Sequence, residues 1–107
     1  MYADYIKELG SGKVMYTNEK GFAIYSIIND NCYLEDLYVK PHFRGTSAAT
    51  ELANIVSAIG KENGCIRLLG SVLPSTKVAT NNMKIFLHYG MAIAEASQNF
   101  ILLTKDI

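Results

Sequence analysis

The period of apolar and polar residues changes several times along the chain, and each change marks an element. Tyr2–Leu9 (YADYIKEL) reads as a short helix that Gly10-Ser11-Gly12 breaks. Lys13–Thr17 reads as a strand, and Asn18-Glu19-Lys20-Gly21 as a polar turn with Gly21 at a hairpin position. Phe22–Ile28 is aromatic and β-branched with no helical stripe, which favours a strand. Asn29-Asp30-Asn31 is the next turn. Cys32–Val39 is a third strand, in which strict alternation sends Tyr33, Glu35, Leu37 and Val39 one way and Leu34, Asp36 and Tyr38 the other.

Pro41 ends that strand, because proline has no N–H for a ladder. From Ser47 to Asn63 the period becomes helical: Ala48, Leu52, Ile55, Val56 and Ile59 form a stripe, with Glu51, Asn54, Lys61 and Glu62 outside it. Gly64 is the expected stop. Cys65–Val72 is a strand ended by Leu73-Pro74, and a Ser/Thr/Asn-rich loop follows. Thr80 or Asn81 caps a short helix running to about Tyr89, and Gly90 closes it. Met91–Ala96 and Phe100–Lys105 are strands around Ser97-Gln98-Asn99.

The order β-β-β-α-β-α-β-β predicts one α/β (α+β) domain over residues 1–107, with a mixed, mainly antiparallel sheet of about six strands. The strand–helix–strand unit from Cys32 to Val72 requires a crossover between parallel strands, right-handed by the general rule, and the flanking hairpins are antiparallel. No linker or repeat divides the chain.

Composition narrows the partners. The 107 residues are 50% hydrophobic and 19% charged, which is a globular balance. Ten basic residues match ten acidic ones, so the broad positive field of a nucleic-acid binder is missing. No apolar run approaches the ~18 residues of a membrane span, and the N-terminus lacks a signal-peptide pattern, so a cytoplasmic protein is expected. Cys32 and Cys65 have no partner at zinc-site spacing and are expected as buried, reduced thiols.

The segment Tyr38-Val39-Lys40-Pro41-His42-Phe43-Arg44-Gly45-Thr46-Ser47-Ala48-Ala49 carries the most chemistry. A strand ends, an Arg-Gly loop follows, and a helix opens with small residues. Unpaired N–H groups and the positive dipole end make such a helix start a site for phosphate, and Arg44 adds charge. An ordinary strand-to-helix turn, with Gly45 supplying a special backbone angle, gives the same string.

The segment resembles motif A of the GNAT family of N-acetyltransferases, a strand ending in Val-X-Pro-X-X-Arg-Gly before a long helix. The family's phosphate loop, Arg/Gln-X-X-Gly-X-Gly/Ala, here reads Arg44-Gly45-Thr46-Ser47-Ala48-Ala49, with Ser47 where the first Gly is usual. Phe86-Leu87-His88-Tyr89-Gly90-Met91 resembles the family's second marker, Tyr-X-X-X-Gly-Phe, with Phe86 at the Tyr position. With the element order, the resemblance covers nearly the whole chain. The usual first strand and helices have no counterpart here beyond about nine residues, so the chain is similar to compact members found in phage genomes.

The resemblance implies acetyl-CoA as cosubstrate, with Arg44, Gly45, Thr46, Ser47, Ala48 and Ala49 at the pyrophosphate and the Leu37-Tyr38-Val39 stretch at the pantetheine arm. It implies acetyl transfer to an amine, of a protein or peptide because the acceptor side is open, by direct transfer in a ternary complex. Glu35 is the expected base, with Asp36 as the other local carboxylate, and Tyr89 the expected acid. A homodimer through the small sheet's edge is expected. The alternative is a non-catalytic domain of this fold that binds CoA or a protein partner.

Overall fold

The computed structural model describes residues 12–75 and 79–107. The expected helix over Tyr2–Leu9 lies outside them, as does the side chain of Thr80. The described residues form six strands: β1 (Lys13–Asn18), β2 (Gly21–Ile28), β3 (Asn31–Val39), β4 (Arg67–Val72), β5 (Ala92–Ala96) and β6 (Ile101–Asp106). Two helices, α1 (Ala48–Glu62) and α2 (Ala79–His88), stand before and after β4. The strand order is β1-β2-β3-β4-β6-β5. Only β3 and β4 run parallel, as the crossover through α1 requires; every other neighbouring pair is antiparallel.

The turns follow from their residues. The β1–β2 turn is Glu19-Lys20, tightened by Asn18 Oδ1, which accepts the Lys20 amide at 2.8 Å. Gly21 is therefore a strand residue, not a turn residue. Its missing side chain matters because a Cβ there would lie 1.9 Å from the Tyr38 carbonyl oxygen of β3. The β2–β3 turn places Asn29 at φ 54°, a left-handed angle that asparagine tolerates. Gly64, at φ +82°, closes α1 as its position after the last helical stripe residue predicts.

The core lies between the sheet and both helices. Leu34, Leu52, Leu68, Leu103, Val56 and Cys32 are its largest fully buried side chains. Each buried leucine contributes on the order of 2 kcal/mol of apolar transfer. The helix stripe holds, with two refinements: Ile55 and Ile59 are half-buried, while Ala53 and Gly60 are buried. Gly60 weakens the helix but lets it sit down on β3, since a Cβ there would be 2.9 Å from Cys32 Cβ. Phe86 of α2 packs the same way over Gly70 of β4, 3.1 Å from where a Cβ would stand. Both cysteines are buried free thiols, and burial followed by the nearby Cys65 pushes the Cys32 thiol up to about 11.

Strict alternation along β3 fails at one place. Ile24 of β2 faces Asp36, but the next residue, Tyr25, faces Leu34. Glu35 is thus an extra residue, a β-bulge. Leu34 and Leu37 are of opposite parity yet both buried, so the core face resumes after the bulge. Asp36 and Tyr38, opposite Ile24 and Phe22, take the other face. Glu35 does not continue the face of Leu37 and Val39. It is exposed and reaches Lys13 on β1 at 3.4 Å.

Candidate active site

The bulge opens the site. β3 pairs with β4 only from Asn31–Leu34 against Arg67–Gly70. Past Leu34, β3 bends away while β4 continues with β6, leaving one edge of β3 open. Successive strand residues turn their backbone groups to alternate sides. The Lys40 amide donates to Lys20 O at 2.8 Å, toward the β1–β2 hairpin, so Val39 and Leu37 turn theirs to the open side. Two of those four groups are already used. The Leu37 amide donates to Asp36 Oδ1 at 2.9 Å, and Val39 O accepts Arg44 Nε at 3.0 Å. Leu37 O and Val39 N have no partner among the described residues and remain for a ligand.

After β3 a single 3₁₀ turn, Pro41–Phe43, reverses the chain, and Gly45 at φ +79° aims it into α1. Nothing lies within 4 Å of a Cβ at Gly45, so its conformation, not crowding, demands glycine. Thr46 Oγ1 donates to Phe43 O and accepts the Ala48 amide, and Glu51 N returns to Ser47 O at 2.9 Å. The amides of Gly45, Ser47, Ala49 and Thr50 have no protein acceptor among the described residues. Four free N–H groups at the positive end of a 15-residue helix form an anion cradle. Arg44 stands at its edge, its guanidinium 5.6 Å from the centre of the Tyr38 ring.

The open edge and the cradle share one cleft of about 510 Å³, ample for an elongated small ligand. Asp36, Leu37, Tyr38 and Val39 line it from β3; Arg44, Gly45, Thr46 and Ala49 from the loop and α1; and Asn81, Asn82 and Ile85 from α2. Asp36 is its carboxylate.

The profile of the acetyltransferase (GNAT) family matches residues 14–86, more than half of the sequence. The chain belongs to that family. The thialysine N-epsilon-acetyltransferase of Sus scrofa is 29% identical over 85 residues, covering 75% of this chain and 50% of its own. The chain thus spans about half the length of the curated relatives it matches. The PaiA N-acetyltransferase of Thermoplasma acidophilum, solved in complex with coenzyme A, superimposes with a TM-score of 0.77 at 14% identity, covering 99% of this chain and 68% of that one. A GNAT family acetyltransferase from Elizabethkingia anophelis, solved with acetyl-CoA bound, gives a TM-score of 0.72 at 15% identity, covering 97% and 82%. At these identities the likeness establishes the fold.

Within this GNAT fold, the residues expected at the cofactor gather at one place: Leu37, Tyr38, Val39, Arg44, Gly45, Thr46 and Ala49 all line the cleft, with Ser47 and Ala48 between them in sequence. Glu35 and Tyr89, the expected base and acid, do not line it. The Tyr89 hydroxyl bonds Asn54 Oδ1 at 2.8 Å and Ser57 Oγ at 2.9 Å on α1, and its ring carries Lys105 Nζ 4.1 Å from the centre. Those contacts pin α2 to α1 and to β6. Phe86 is buried and has no hydroxyl. Asn81, expected as a helix cap, lies inside α2, which begins at Ala79, and the sequence did not mark Asn81 or Asn82 as wall residues of a cleft. Their one signal is a pair of amides at the start of a helix, where polar groups face outward.

Proposed function

We propose that this chain transfers an acetyl group from acetyl-CoA to an amine, directly and in a ternary complex. The reading rests on one observation: the cleft carries the Asp36 carboxylate on its wall and ends at the start of α1, where the amides of Gly45, Ser47, Ala49 and Thr50 are free and Gly45 and Ala49 are part of the lining. The residues fit the cosubstrate. The amides of Gly45, Ser47, Ala49 and Thr50 would hold its pyrophosphate with Arg44, and Leu37 O and Val39 N would pair with the amides of its arm. When bound, acetyl-CoA supplies the thioester. Asp36, in place of Glu35, would hold the proton that the amine gives up, and its bond to the Leu37 amide fixes its orientation. Neither Phe86 nor Tyr89 brings a hydroxyl to the cleft, so neither would protonate the leaving thiolate.

The finer assignments belong to the same proposal. Asp36 lines the cleft and is itself exposed, which suits an amine of a protein or peptide. All five residues of the edge strand β5 are exposed, and that edge is where a second copy would pair. No helix of the described residues is long and apolar enough to cross a membrane. Buried free thiols suit a reducing cytoplasm.

A second reading, CoA binding without turnover, is favoured by the buried phenyl ring of Phe86 where the family's second marker has tyrosine. Calorimetric titration with acetyl-CoA tests both. Micromolar affinity (about −8 kcal/mol) that Arg44→Glu abolishes supports the cradle. Release of free CoA thiol with mixed amines then separates transfer from binding alone. A folded chain with no affinity for acetyl-CoA refutes both.

A further inference from the structure

The cradle carries a resident competitor. Glu51 lies in the first turn of α1, where a carboxylate is attracted to the same N–H groups that a phosphate needs. Turned onto the free amides of Ser47 or Ala49, it would satisfy them and place a negative charge where the ligand's phosphates belong. Lys20 holds it aside at one oxygen, while the Ser47 hydroxyl sits near the other. Lys20 Nζ takes Oε2 at 2.7 Å, and Ser47 Oγ reaches Oε1 at 3.4 Å.

Lys20 is fixed for this task. Its amide is held by Asn18 Oδ1, and its carbonyl accepts the Lys40 amide, both at 2.8 Å. A lysine in the β1–β2 turn is thereby locked to the end of β3 and aimed at α1, 31 residues away in sequence. The pair borders a second, shallower groove between the hairpin and α1, outside the cleft. The same contact holds the Glu51 carboxyl below its usual range, so it stays charged at neutral pH. The arrangement also accounts for Ser47 where the family's loop usually has glycine: its hydroxyl is drawn toward Glu51.

We infer that Lys20 is a positioning residue that keeps the Glu51 carboxylate off the first-turn amides of α1 and so keeps the phosphate cradle open. This rests on the reading that acetyl-CoA phosphates occupy that cradle.

The test is a double-mutant cycle on acetyl-CoA affinity, measured by calorimetry on folded protein. Lys20→Met should weaken binding roughly five- to tenfold. With Glu51→Gln also present, Lys20→Met should cost less than about twofold, because no carboxylate remains to swing inward. A lysine acting only as a distant positive charge would cost the same with and without Glu51, and that equality would overturn the inference. If the wild-type protein does not bind acetyl-CoA, the functional reading itself falls, which is a different result. Melting curves of the four proteins exclude loss of fold as the cause. If Lys20→Met leaves the affinity unchanged, the inference fails.

Discussion

Replacing Gly21 by alanine should damage stability and the cleft together. A Cβ at residue 21 would lie 1.9 Å from Tyr38 O, 2.9 Å from Tyr38 C and 3.0 Å from Val39 Cα. A carbon–oxygen contact wants at least about 3.3 Å, so the shortfall exceeds 1 Å. All three atoms are backbone, so no side chain can rotate away; the strands must part. The nearest pairings are Gly21 with Val39 and Phe22 with Tyr38, whose rings stack at 5.2 Å. Two ladder hydrogen bonds at ~1 kcal/mol each, plus ~1 kcal/mol of ring contact, give a loss of about 2–4 kcal/mol. For a domain this size that lowers Tm by roughly 10–20 °C. Tyr38 and Val39 line the cleft, and Arg44 rests on both, so acetyl-CoA affinity should fall as well. Gly45→Ala serves as the contrast: open space surrounds it, and only its left-handed angle is strained, at ~1 kcal/mol. Urea denaturation and calorimetry read both effects. A Gly21→Ala protein within 0.5 kcal/mol of wild type, with its affinity intact, would refute the packing argument.

Three other outcomes are expected. Asp36→Asn should lower kcat by about 10²–10⁴-fold while leaving acetyl-CoA affinity nearly as it was; equal losses in both would make Asp36 a binding group. Phe86→Tyr should not create an acid: the ring's Cζ is 3.2 Å from a Cβ position at Gly70, so the new hydroxyl enters a dry core and costs ~1–3 kcal/mol, read by urea denaturation. Cys32 makes stability depend on alkaline pH. Its folded pKa of about 11 is above the unfolded value near 9, so its contribution is complete below pH 9 and is lost as pH rises through 11. The change is up to about 2–3 kcal/mol, and Cys32→Ala should flatten that part of the urea-midpoint profile.

The element order was legible because local signals agree with the tertiary structure. Pro41, Gly64 and Gly90 punctuate the chain where the structure changes direction, and the Ala48–Ile59 stripe is the buried face of α1. That residues 37–49 gather along one cleft was legible for the same reason, since a strand end, a loop and a helix start are contiguous. What failed was pairwise information. Alternation within Cys32–Val39 cannot reveal a bulge, which exists only relative to β2. The trace it left was Leu34 and Leu37, two leucines at odd spacing that both needed burial. Gly21 read as a turn residue because the carbonyl it accommodates belongs to Tyr38, 17 residues on. The Lys20–Glu51 contact and the wall of Asn81 and Asn82 are equally non-local, so no window of sequence contains them.

The Glu35 bulge sets the fold's ease of repair against its use. Deleting this one residue would leave Asp36 opposite Ile24 and Leu34 opposite Tyr25, a regular ladder with every other partner kept. A straightened β3 could then zip further along β4, gaining hydrogen bonds and filling the gap. The shortened protein should be the tougher molecule and the useless one. Pressure for stability alone would remove Glu35, so its retention would be a sign that selection still acts on the opening.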